Sequence, residues 1–65
     1  MDKTKEKIIE AATRLFAEKG LEDVTVREIC RSAKVNGALV NYHFRSKEGL
    51  YRECVERVYA TTHGS

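Results

Sequence analysis

Apolar positions recur along the chain at helical spacing, and polar residues break the pattern at three places. From Thr4 to Lys19 the positions Ile8, Ile9, Ala12, Leu15 and Phe16 form one stripe, which predicts a first helix over that span. Gly20 is expected to end it in the left-handed C′ conformation. Leu21 would then fold back on Phe16, the contact that accompanies a Schellman motif. A second stripe runs through Val26, Ile29, Cys30 and Ala33. Its start is locally specified: Thr25 is an N-cap, Glu28 three residues on closes a capping box, and Val24 with Ile29 form a hydrophobic staple. The interruption at Lys34 to Asn36 precedes a third helical segment that runs to Phe44.

This third segment carries two apolar stripes, only one of which can face the core of so short a helix. With Val40 and Phe44 inward and Gly37 one turn earlier, Leu39, Asn41, Tyr42 and His43 are presented outward. The opposite assignment buries Leu39 and Tyr42. Ser46 is a suitable N-cap for a fourth helix, with Lys47 and Glu48 in its first turn, continuing to about Thr61. Leu50, Tyr51, Cys54, Val55, Val58 and Tyr59 cover more of its circumference than one small bundle can bury, so something else is expected to pack there. Residues 61–65 lack periodicity and are expected to fray.

The reading is therefore an all-α domain over 1–60, three helices with a helix-turn-helix plus the start of a fourth, and a frayed tail over 61–65. The absence of proline and the presence of only four glycines in 65 residues support helices over strands and turns. So short a chain leaves no room for a deep catalytic cavity, and its margin of stability should be only about 3–5 kcal/mol.

Charge changes the picture because it is unevenly spread, although the net value is only +2. Arg27, Arg31, Lys34, Arg45 and Lys47 face Glu28 alone across residues 27–47, whereas Glu18, Glu22 and Asp23 outweigh Lys19 just before. A basic face beside an acidic shoulder suits a polyanion approached in one orientation; a solvated surface of mixed charge is the plainer reading. Joined to two short helices and a tight turn, the charge excess points to DNA. Cys30 and Cys54 lie on apolar stripes, lack the CxxC spacing of zinc or redox sites, and read as reduced thiols. No signal peptide and no membrane-length apolar run is evident, which makes a cytoplasmic location the default.

The run VNGALVNYHFRSK from Val35 to Lys47 closely resembles the DNA-binding domain of TetR-type bacterial transcriptional regulators. So do Leu15-Phe16-Ala17-Glu18-Lys19-Gly20, Thr25-Val26-Arg27-Glu28-Ile29 and Ser46-Lys47-Glu48-Gly49-Leu50, in that order and spacing, over about residues 8–51. The resemblance implies a recognition helix in the major groove. It also implies palindromic operators bound by a homodimeric parent protein, a repressor released by small effectors held in a larger C-terminal helical domain that has no counterpart in these 65 residues. No effector site, cofactor or metal is expected on this chain, and alone it is expected to be a monomer. Two departures stand out: position 41, often aromatic in the family, is Asn, and Gly37 and Ala38 offer no polar side chain to bases.

On that basis Asn41 is expected to pair with adenine and Leu39 to rest on a thymine methyl, while Arg27 meets a guanine or a phosphate. Tyr42 and His43 match phosphate-binding positions of the family. Lys47 adds a cation to the amides at the start of the fourth helix, where lysine is otherwise slightly unfavourable. Thr25 and Asn36 are further candidates for phosphate contact, although capping alone accounts for either; Lys3, Lys5 and Lys7 are expected either to touch the phosphate backbone or to form a frayed basic terminus. An enzyme would have only His43 and Glu48 as an acid/base pair, without a pocket or an orienting third group. A helical protein-interaction module is the remaining alternative, and it leaves the basic run and the outward Tyr42 unexplained.

Overall fold

Three of the helices begin on a side chain that accepts from an otherwise orphaned amide. In the computed structural model, which describes the backbone of residues 3–63 and the side chains of residues 3–59, the elements are α1 (Thr4–Lys19), α2 (Val26–Ala33), α3 (Gly37–Phe44) and α4 (Lys47–His63). Thr25 Oγ1 accepts from the Glu28 amide at 3.1 Å while Glu28 Oε1 accepts from the Thr25 amide at 3.1 Å, the reciprocal capping box. Asn36 Oδ1 accepts from the Ala38 amide at 2.8 Å and Ser46 Oγ from the Gly49 amide at 3.1 Å. α1 has no such cap, so its start depends on packing and on Lys3 supplying a carbonyl to the Lys7 amide.

The helix ends are less uniform. Gly20 has the expected positive φ of 92°, but its ψ is 160°, so it is extended rather than left-handed helical. Only glycine occupies that region freely. Its amide bonds to the Phe16 carbonyl at 2.8 Å, and the chain leaves directly into half-buried Leu21. The Schellman motif expected there is found instead at the end of α2. Lys34 is left-handed at φ 60°, ψ 46°, its amide reaches Arg31 O at 3.3 Å, and the Val35 amide reaches Cys30 O at 3.0 Å. Half-buried Val35 packs against the core, completing the motif. α3 closes differently: Arg45 has φ 72°, ψ −40°, and the Ser46 amide bonds to Phe44 O at 2.8 Å across it. This is the rare, strained form of γ-turn.

α1 packs against each of the other three helices, and Ile8, Ala12, Val24, Ile29, Val40 and Leu50 are fully buried between them. Ala11 is buried with them, whereas Leu15, expected in the core, lies half-buried at its edge. A helix with three neighbours buries a broader face than one stripe, and a small residue lets those neighbours come close. The staple residues Val24 and Ile29 are both at zero exposure. On α4, Leu50 and Cys54 are buried and the Cys54 thiol donates to the Ile9 carbonyl at 3.7 Å. Arg57 forks onto the Glu6 carboxylate, tying α4 to the first turn of α1, with Nη2 to Oε2 at 3.0 Å. Tyr51 meets Phe16 edge-on at 5.1 Å, but Tyr51, Val55, Val58 and Tyr59 stay exposed along an open groove of about 410 Å³ between α1 and α4. The expected apolar surplus on α4 is thus present on its surface. α4 runs two residues past the anticipated end at Thr61; of the tail expected to fray, residues 61–63 continue the helix, and Gly64 and Ser65 lie outside the described residues.

Candidate nucleic-acid interface

α3 is eight residues long and contacts α1, α2 and α4, so its orientation is set by whichever side chains it buries. Those are Val40, at zero exposure, and Phe44. The Lys5 ammonium lies 5.9 Å from the centroid of the Phe44 ring, a favourable cation–π arrangement at the rim of the same contact. With Val40 and Phe44 inward, the neighbouring Asn41 and Tyr42 emerge on the opposite side, and Tyr42 is 80% exposed. A phenol so exposed on a rigid helix gains nothing from the core, and its hydroxyl is available to an acceptor outside the fold.

Leu39 departs from the expected outward set. It is half-buried and packs against the core, because α3 is flanked by helices on more than one side and the residue beside Val40 is caught at the seam. His43 is also half-buried, with its ring edge-to-face with Tyr42 at 5.1 Å and tilted against Phe44 at 6.0 Å. It thereby bridges the inward and outward faces and props the Tyr42 ring. Ala38 is exposed, and a Cβ built on Gly37 would lie 3.8 Å from Cys30 Sγ, ordinary contact with α2.

Arg27 is exposed in the first turn of α2, on an element packed against α3. The acid nearest to it is accounted for: Glu28 accepts from the Lys19 ammonium of α1 and from the Thr25 amide. The Lys19 hydrogen bond, followed by that of the Thr25 amide, holds the Glu28 carboxyl below its usual range, and the same contact raises Lys19. Glu28 is therefore turned toward α1, which leaves the basic residues around α3 without a competing carboxylate of that stretch. Thr25 and Asn36 both have an oxygen committed to a cap, yet each retains a donor hydrogen and each is exposed.

Lys47, half-buried, is the first residue of α4, where helix geometry leaves amides unbonded. Its position relative to α3 is set by Gly49. A Cβ there would stand 2.4 Å from the Phe44 carbonyl oxygen, so α4 can start this close to the end of α3 only with glycine. The sequence places Lys34 and Arg45 only within the basic run, with no role of their own, and does not single out Gly49. The only signal for Gly49 was its place in the run Ser46-Lys47-Glu48-Gly49-Leu50.

Cys30 and Cys54 are free and buried, and burial pushes both thiols up, away from the reactive thiolate. Among the described residues no group of three potential metal ligands occurs, and no helix is long and apolar enough to cross a membrane.

Residues 8–54 match the bacterial regulatory proteins of the tetR family. The Bacillus subtilis (strain 168) protein named Probable HTH-type transcriptional regulator YttP is 48% identical over 56 residues, covering 86% of this chain and 27% of that protein. IcaR of Staphylococcus epidermidis, named as the negative transcriptional regulator of the biofilm operon icaADBC, is 40% identical over 55 residues, covering 85% of this chain and 30% of its own length. Among solved structures, that of HlyIIR, a hemolysin II transcriptional regulator, superposes with a TM-score of 0.80 at 42% identity over 83% of this chain and 30% of that one. The chain thus spans somewhat under a third of the length of these relatives. They do not favour an interaction module without DNA binding. The family match takes in α2, α3 and all three capped helix starts, and on it the chain belongs to the tetR family of bacterial regulatory proteins.

Proposed function

We propose that this domain reads one half-site of a palindromic operator in duplex DNA, with α3 in the major groove, and that the whole protein acts in the cytoplasm as a homodimeric repressor. The observation that carries the reading is Tyr42, 80% exposed between the buried Val40 and Phe44: α3 is anchored by one face and offers the other. Asn41 on that face pairs with a base, adenine being the best geometric match. Leu39, held at the core seam, brings only its exposed edge to a thymine methyl. Tyr42, with His43 behind it, and Lys47 beside the free amides of α4 take phosphates, and Thr25 and Asn36 add their remaining donors. Arg27 reaches a guanine or a phosphate from α2.

Repression is supported by analogy with the relative named as a negative regulator. The two recognition helices of a dimer must stand about 34 Å apart, or a multiple, and no single helix here, the longest being 17 residues or about 26 Å, is long enough to set that distance. As a 65-residue chain it is therefore monomeric, with affinity near the non-specific range of about 10⁻⁴ to 10⁻⁶ M, which sedimentation equilibrium at tens of micromolar checks. The test of the site is a fluorescence-anisotropy titration of labelled duplexes. Tyr42→Phe and Lys47→Ala should weaken binding to all sequences alike, whereas Asn41→Ala should change the preference among sequences by about 1–3 kcal/mol per lost base contact. Amide shifts of the domain that ignore duplex at low salt would overturn the reading.

A further inference from the structure

Among the described residues the two non-glycine residues with positive φ are both cations, and they stand at the two ends of α3: Lys34 at φ 60° three residues before it and Arg45 at φ 72° immediately after it. Neither conformation suits a residue with a side chain; glycine is the ordinary occupant of the first and is eased by the second. Both side chains are exposed. Neither is engaged in an ion pair or side-chain hydrogen bond among the described residues, in contrast to Lys19 and Arg57, which are each committed to a glutamate.

We propose that Lys34 and Arg45 are two further phosphate contacts, one on each flank of the recognition helix, and that the backbone strain at both positions is tolerated for the sake of these side chains. The inference rests on the reading of α3 as the helix that enters the groove. Eight residues of α-helix measure about 12 Å, comparable to the width of the major groove at about 12 Å. Long cationic side chains leaving both ends of such a helix reach the phosphate ridges that border the groove. Arg45 follows α3 directly, its amide bonded to the Asn41 carbonyl at 2.9 Å, and Lys34 ends α2 across the short turn Val35-Asn36 that leads into α3. The two exposed cations therefore stand one at each end of α3. A plainer role is also open to them, since a cation is favourable at a helix C-terminus, and both positions are helix C-caps. The two roles differ in what glycine does. If the cations serve only the helix ends, glycine relieves strain and leaves DNA binding as it was.

The experiment is thermal unfolding together with salt-dependent anisotropy of the 65-residue chain on a labelled duplex, comparing Lys34→Gly, Arg45→Gly and the charge-retaining Lys34→Arg and Arg45→Lys. Each glycine variant is expected to melt no lower than the parent yet to lose about 0.9 from the log-log salt slope, which is about eightfold in affinity at 0.1 M salt. The charge-retaining variants keep the slope. Glycine variants with unchanged slope overturn the inference, provided Tyr42→Phe weakens binding in the same assay; if the parent chain itself fails to bind duplex, the assignment of α3 falls and this inference with it. Lys34→Gln and Arg45→Gln, which remove the charge without altering the backbone preference as glycine does, must show the same loss of slope.

Discussion

The two turns that flank α3 do the same job by different means. The turn from α2 ends on a residue in the left-handed region and is closed by two bonds, Lys34 N–H to Arg31 O and Val35 N–H to Cys30 O, with Val35 tucked against the core. The turn into α4 folds in one residue, through the γ-turn at Arg45, and the next helix starts against the Phe44 carbonyl with no space for a Cβ at Gly49. The first turn is held by hydrogen bonds and a hydrophobic contact that tolerate change on the solvent side. The second has its own two bonds, Arg45 N–H to Asn41 O and Ser46 N–H to Phe44 O, and adds a steric constraint that the first lacks. One consequence is that the start of α4, with Lys47 in it, is coupled to α3 more rigidly than α2 is.

The sharpest way to break this contrast is Gly49→Ala. The methyl group meets backbone, not a flexible side chain, so α4 must shift, with a loss of about 2–3 kcal/mol in urea unfolding and weakened duplex binding through displacement of Lys47. A change of under about 0.5 kcal/mol would show that the second turn is no tighter than the first. Removing the caps tests whether the two turns depend equally on them: Asn36→Ala and Ser46→Ala should each cost about 1 kcal/mol, read from the same denaturation midpoints. Arg45→Gly should stabilise by about 1 kcal/mol and Lys34→Gly by about half that, because the γ-turn is the more strained of the two and the left-handed residue already has its Schellman bonds. Equal gains would remove the distinction in strain.

The smallest effect is a control outside both turns. Lys19 hydrogen-bonded to Glu28, and Arg57 to Glu6, hold these carboxyls below their usual range, so each folded-state pKa is depressed. Their contribution is complete at neutral pH and declines once the pH falls below about 4.3, the ordinary glutamate value, toward the lower folded value. Melting temperatures at pH 3 and pH 7 should differ less for Glu28→Gln than for the parent chain, with the bonds of either turn unaffected.

The bounds of the first three helices and the caps that start them were legible in the sequence, whereas the backbone conformations that end them were not, for a physical reason. Thr25, Asn36 and Ser46 begin helices through their own side-chain oxygens, so residue type announces the function. An ending is a backbone conformation that glycine signals and other residues conceal. Gly20 therefore drew the expectation of a Schellman motif, while the motif itself formed at Lys34, where residue type gave no hint. On α3 the inward pair Val40 and Phe44 and the outward Asn41 and Tyr42 followed from helical spacing. Leu39 and His43 did not, since residues at the border between faces are assigned by neighbouring helices that spacing alone does not place. Gly49 escaped notice because its role lies in a contact with a carbonyl five residues earlier, not in any pattern of its own helix.

The thiol of Cys54, 3% exposed and donating to the Ile9 carbonyl, also makes the seam between α1 and α4 a clock. A thiol-specific reagent reaches that sulfur, at the floor of the open groove, far faster in molecules whose fourth helix has lifted away from the first. Labelling kinetics followed by mass spectrometry then count the opened fraction under fully native conditions, and any ligand that clamps the bundle shut registers as a slower clock, whether or not it touches the cysteine.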